Sequence, residues 1–194
     1  MNSKARTITI IGMLSAIAGV LMLMEFPVAI FPKFLEIDFS DLPALIAAFM
    51  INPLGGVIVV FMKNVINIIL TGTETAYIGE AANFIIGTAF VLPAGLIYHK
   101  NKSKKGAQAG MLVGILSMAV IGALANYYIL IPFYAKFMFP MEAIISASKA
   151  VFPFIDSLEK IIVFSIIPFN LLKGTMASVI ALLIYKRLSH LFKR

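Results

Sequence analysis

Six apolar runs, separated by loops whose charge alternates in sign, restrict this chain to a helical membrane architecture. Positive charge gathers at Lys4 and Arg6, at Lys100, Lys102, Lys104 and Lys105, and at Lys186, Arg187, Lys193 and Arg194. Together these make up ten of the sixteen Lys and Arg. None of the nine acidic residues lies in those stretches. Glu25, Glu36, Asp38, Asp41, Glu74, Glu80, Glu142, Asp156 and Glu159 fall near the opposite ends of the runs. Basic residues are retained on the cytoplasmic side of a bilayer, so the alternation predicts a topology. The chain is 61% hydrophobic, against roughly half in a soluble protein, which agrees with that reading.

The runs cover about residues 6–24, 41–51, 57–71, 80–98, 107–133 and 157–185. The second is short and ends at a turn signal, Asn52-Pro53-Leu54-Gly55-Gly56. The sixth is expected to kink at Pro168. An amphipathic stretch over 142–151 belongs to the longer outer connection. The expectation is an all-α integral membrane protein with six transmembrane helices, one domain over residues 1–194. Both termini are then cytoplasmic and the acidic loops lie outside. The first run follows Lys4 and Arg6 and resembles a signal peptide, but its length and the lack of an A-x-A site favour a retained helix.

Several chemistries are excluded. There is no cysteine, hence no disulfide, thiolate metal site or cysteine nucleophile. His99 and His190 sit in basic tracts outside the spans, which argues against a buried metal site. No G-x-x-x-x-G-K-[ST] run exists to hydrolyse a nucleotide. The formal charge of +7 is accounted for by basic loops beside a membrane and calls for no nucleic acid.

Polar residues remain inside the runs, where they are costly to keep. Lys63, Asn67 and Thr71 are four apart and share one helix face, with Asn64 beside them. Glu80, Asn83 and Gly87 share another face. Asn126 stands next to Tyr127 and Tyr128, and Asn170 lies three residues before Lys173. Such side chains turn to the protein interior or a wet cavity, so four helices offer amides and charges to a common space in the outer half. Read singly, each could instead join helices, or Lys63 or Lys173 could pair with Glu80 as scaffolding. Amides both donate and accept, which suits a neutral hydrogen-bonding ligand. No arginine lies in the interior of a span to favour a phosphate or carboxylate. Phe84, Tyr127, Tyr128, Phe133 and Phe169 offer stacking surface, although aromatics near span ends also form interfacial belts. A flat heteroaromatic ring with a polyol tail fits this set. Asp41, before Leu42-Pro43, is expected as a helix N-cap. Gly12/Ala16 and Ser15/Gly19 are small-xxx-small pairs that allow close helix approach.

The blocks Leu35-Glu36-Ile37-Asp38-Phe39-Ser40-Asp41-Leu42-Pro43-Ala44, Asn52-Pro53-Leu54-Gly55-Gly56, Lys63-Asn64, Gly79-Glu80-Ala81-Ala82-Asn83-Phe84, Asn126-Tyr127 and Pro168-Phe169-Asn170-Leu171-Leu172-Lys173-Gly174 carry a resemblance across nearly the whole chain. The chain resembles the riboflavin-binding S components of energy-coupling-factor (ECF) vitamin transporters, the RibU family. The resemblance implies a cell-membrane, multi-pass subunit without catalysis or cofactor of its own. It would take up riboflavin as substrate, with energy from a transmembrane T component and two cytoplasmic ATP-binding subunits. It points to Asn126, Lys173 and Asn170 as ligand contacts, with Asn83, Asn67, Glu80, Lys63 and Tyr127 beside them. It also implies that Gly12/Ala16 or Ser15/Gly19 meets the T component.

Three other readings stay open on the residues alone. One is an S component for another vitamin, such as thiamin, biotin or a pantothenate-like acid. A second is a small intramembrane enzyme, which normally needs acidic Mg²⁺-binding clusters near the inner face. The third is a structural subunit with no ligand.

Overall fold

The computed structural model describes residues 3–192, with side chains from Lys4 to Ile184. The basic residues Lys186, Arg187, Lys193 and Arg194, and His190, lie outside the described side chains. The elements are α1 (Ser3–Leu23), a two-stranded hairpin β1 (Phe26–Pro27) and β2 (Glu36–Ile37), α2 (Asp41–Met50), α3 (Pro53–Thr71) and α4 (Ile78–Lys100). α5 (Lys104–Ala125) passes through a π turn, Asn126–Leu130, into α6 (Ile131–Phe137). The outer helix α7 (Met141–Lys149) precedes α8 (Leu158–Ile161), which passes through a second π turn, Ile162–Ile166, into α9 (Ile167–Phe192).

Among the described residues, five helical stretches are long and apolar enough to cross a membrane: Lys4–Leu23, Pro53–Thr71, Ile78–Lys100, Lys104–Phe137 and Leu158–Ile184. α2 is the exception to the six expected. Its ten residues rise about 15 Å, half of a roughly 30 Å hydrocarbon core. α2 starts part-way into the bundle, where Asp38, Ser40 and Asp41 are already buried. α3 also begins earlier than the sequence suggests. Asn52 accepts from the Gly55 amide at 2.8 Å and Pro53 takes the first helical position, so the apparent turn is a helix start.

α4 packs between α3 and α5, α1 and α2 lie against α3, and α9 closes on α5 and α2. The core between α2, α3, α4 and α5 is built from small residues and β-branched or aromatic fillers, among them Ala44, Ala47, Ala48, Val59, Val60, Phe90, Val91 and Ala94. Here Phe49 stacks on Tyr98 with centroids 4.6 Å apart. His99 Nε2 lies 2.9 Å from the Ala48 carbonyl oxygen and ties the end of α4 to α2. A second apolar cluster, Ile131, Ile144, Ile155, Ile161, Ile162 and Ile166, seats α7 on the opposite end of the bundle.

Both π turns stand immediately before an Ile-Pro pair, Ile131-Pro132 and Ile167-Pro168. A proline inside a helix has no N–H and its ring presses on the carbonyl four residues back, so the preceding turn widens. The second π turn, Ile162–Ile166, thus stands just ahead of Pro168, where the sixth run is expected to kink. Pro93 inside α4 carries no such turn.

Candidate functional site

A cavity of about 550 Å³ opens at the end of the bundle away from the Lys100–Lys105 loop. It lies where α1, α3 and α5 end and α4 and α9 begin, beneath the hairpin. Its size is that of a small-molecule site.

Four asparagines reach its wall from four helices: Asn67 from α3, Asn83 from α4, Asn126 from the first π turn and Asn170 from α9. The amides of Asn126 and Asn170 are oriented by their own helices. Each Nδ2 donates to the carbonyl four residues earlier, Gly122 at 2.8 Å and Ile166 at 2.9 Å. That leaves each Oδ1 as an acceptor for the cavity. The Asn83 side chain makes no hydrogen bond within the protein among the described residues. Gly122 makes room for Asn170, since a Cβ there would come 2.8 Å from Asn170 Nδ2. Phe169 adds an apolar wall and is itself held edge-on by Phe31 of the hairpin loop at 5.5 Å.

Lys173 lines the cavity and is buried. Its Nζ donates to Asp38 Oδ2 at 2.6 Å. Asp38 Oδ1 accepts from the Ser40 amide at 2.7 Å and from the Ser40 hydroxyl. The Ser40 hydroxyl in turn accepts from Lys63 Nζ at 2.6 Å, and the same ammonium donates to Asp41 Oδ1 at 2.6 Å. One unbroken chain of charged hydrogen bonds therefore joins α3, α2, the segment between β2 and α2, and α9.

Several expected roles change in this light. Lys63 is fully buried at 0% exposure and does not line the cavity; it stands behind the wall as the partner of Asp41 and Ser40. The scaffolding pairs with Glu80 do not form, because Asp41 and Asp38 are the acids within reach. Glu80 lines the cavity and accepts instead from the Thr75 hydroxyl at 2.9 Å. Asp41 is the first helical residue rather than the cap, a position held by Ser40. Tyr127 also stands off the wall: the π turn directs it to the α7 cluster, with its hydroxyl 3.5 Å from Glu159 Oε1. Among the suggested stacking residues only Phe169 lines the cavity. Phe84 packs on Phe61, Phe133 on Phe137, and Tyr128 is 69% exposed.

The two small-residue pairs of α1 have separate fates. Ser15 and Gly19 are buried, and a Cβ at Gly19 would come 2.6 Å from Ile66 Cγ2 of α3. Gly12 and Ala16 face outward, and nothing lies within 4 Å of a Cβ at Gly12.

The hairpin side of the lining comprises Glu25, Phe34, Leu35, Glu36 and Asp38, and Glu74 and Thr75 also line the cavity; of these the sequence suggests only that the Glu36–Asp41 loop could close over the site or cap the second run. Their carboxylates read as loop charges from the sequence. Only the alternation Glu36-Ile37-Asp38, with Ile37 buried, hinted at a paired segment.

Helices long enough to cross a bilayer, with a polar chamber of small-molecule size at one end of the bundle, define a membrane protein with a candidate small-molecule site. A family model described as "ECF transporter, substrate-specific component" matches residues 6–185. The chain belongs to that family, whose members are transporter components and not enzymes. It is 37% identical over 194 residues to the riboflavin transporter RibU of Staphylococcus aureus, covering 100% of this chain and 95% of the relative. It is 37% identical over 186 residues to the riboflavin transporter FmnP of Bacillus subtilis, covering 95% and 93%. The solved S component of a bacterial ECF transporter superimposes with a TM-score of 0.77 at 32% identity, over 99% of this chain and 100% of that one.

Proposed function

We propose that this chain is the riboflavin-capturing S component of an ECF transporter in the cell membrane. The single domain over residues 1–194 traverses the bilayer in six segments, the second completed by the buried loop ahead of α2. Both termini and the Lys100–Lys105 loop are cytoplasmic, and the chamber opens to the outside. The observation that carries this reading is the wall itself. Asn67, Asn83, Asn126 and Asn170 converge from four helices beside Phe169. Riboflavin is uncharged at neutral pH, with a ring edge that donates and accepts and a tail of hydroxyls, so it matches amides rather than fixed charge. Asn126, Asn170, Lys173, Asn83, Asn67 and Glu80 are the ligand contacts. Riboflavin is the transported substrate, and the protein needs no cofactor.

Transport energy comes from a T component and two cytoplasmic ATPases, as the family implies, and the lack of a G-x-x-x-x-G-K-[ST] run in this sequence is consistent with that. The outward pair Gly12 and Ala16 is the natural seat for the T component, since Ser15 is buried and Gly19 is packed against Ile66 of α3.

The test is direct. Protein purified in detergent from cells grown with riboflavin is expected to carry a flavin absorption spectrum and to release free riboflavin on denaturation. A colourless protein that also leaves added riboflavin fluorescence unquenched would overturn the reading.

A further inference from the structure

The charges on the chamber wall are unequal in a way that neutral-ligand binding does not require. Among the described lining residues, six are carboxylates, Glu25, Glu36, Asp38, Asp41, Glu74 and Glu80, and one is a cation, Lys173. Asp38 is taken by Lys173 and Asp41 by Lys63. Glu25, Glu36, Glu74 and Glu80 have no ion-pair partner among the described residues. Three of these, Glu25, Glu36 and Glu74, are exposed and sit where the chamber meets solvent. They approach from two directions, the hairpin and the loop between α3 and α4. Lys33, at the hairpin's own tip, does not line the cavity.

We propose that Glu25, Glu36 and Glu74 form a charge filter at the mouth, which makes the chamber prefer riboflavin to its phosphate monoester. This deepens the riboflavin reading above and rests on it. The chamber and its amides remain the binding site, and the rim sets which charge state of the same ring system is admitted. A phosphate monoester carries about −1.5 to −2 charges at pH 7. A cavity of about 550 Å³ is roughly 10 Å across, close to the Debye length of about 8 Å at physiological salt. Any phosphate inside it therefore feels the rim, and no unengaged lining cation offsets the repulsion. Burial, then the Glu36 and Asp38 carboxylates, push the Glu25 carboxyl up, as expected where like charges already crowd.

The experiment measures dissociation constants for riboflavin and riboflavin 5′-phosphate by flavin fluorescence quenching, on full-length protein in detergent. It compares wild type with the Glu25→Gln/Glu36→Gln/Glu74→Gln variant, at low salt and at high salt. Wild type is expected to favour riboflavin by about tenfold or more at low salt. That preference is expected to shrink several-fold in the variant and in high salt, while the riboflavin constant moves by less than about threefold. Retained riboflavin binding shows that the variant is folded, and the salt series on wild type tests the filter without any variant. A preference that is equal in wild type and variant and indifferent to salt overturns the filter alone. Wild type that binds neither ligand overturns the riboflavin reading, and the filter with it.

Discussion

The Lys173 ammonium lies 2.6 Å from Asp38 Oδ2, across 135 residues of chain, with both side chains almost wholly withdrawn from solvent. This pair fastens the segment between β2 and α2 to the helix that also presents Asn170. A buried ion pair contributes little net stability over an apolar replacement, but breaking it strands one charge at a cost of about 3–5 kcal/mol. Its value here is positional: it fixes a mobile kind of element, a loop, over a chamber.

Lys173→Met is therefore expected to lower the stability of the solubilised protein by several kcal/mol by leaving Asp38 unpaired. The double change Lys173→Met/Asp38→Leu is expected to recover most of that loss while riboflavin binding stays impaired. Thermal midpoints and fluorescence titrations of the three variants check this. A double variant no more stable than the single one would count against a paired role.

Lys63 is one shell further back, so its removal is expected to register as stability before affinity. Lys63→Met leaves Asp41 uncompensated and loosens Ser40, the bridge to Asp38. A double-mutant cycle between Lys63 and Asp38 is expected to show coupling of about 0.5–3 kcal/mol although no hydrogen bond joins the two directly. Strict additivity would mean that the Ser40 bridge transmits nothing.

Asn83 offers the opposite case. Its amide faces the cavity without a protein partner, so Asn83→Ala is expected to leave the thermal midpoint nearly unchanged and weaken riboflavin about tenfold, the worth of one hydrogen bond of roughly 1.4 kcal/mol. Gly122→Ala is expected to weaken binding indirectly, because the added methyl displaces the Asn170 amide. Titration of both variants beside their melting curves separates the two effects.

The two faces of α1 predict different phenotypes. Gly12→Leu projects into open space and is expected to leave folding and riboflavin binding intact while reducing co-purification with the T component. Gly19→Leu collides with Ile66 and is expected to destabilise the subunit itself by about 1–3 kcal/mol. Co-purification yields and melting curves distinguish them, and reversed phenotypes would reassign the partner face.

Much of this was legible in the linear chain. Membrane-length apolar runs, the helix boundaries within a few residues, and the polar positions Asn67, Asn83, Asn126, Asn170 and Lys173 all follow from periodicity and from the cost of placing polar groups among lipids. Charge sorting predicts a topology without any contact, because it depends on the residue types of loops and not on how they fold. The π turns were legible only in part: Pro132 and Pro168 mark where a helix must give, but Pro93 shows that a proline need not open a turn.

The partners of the buried charges were decided by tertiary structure alone. Lys63 looked like a cavity residue because it shares a face with Asn67 and Thr71. Only the docking of α2 against α3 puts Asp41 and Ser40 in its way. Asp38 looked like a loop charge because its partner lies on the last helix. Helical periodicity carries information over a turn or two, about 5 Å per turn. Which carboxylate meets which ammonium depends on how separate elements pack, and on a buried segment that enters the bundle ahead of the short second helix.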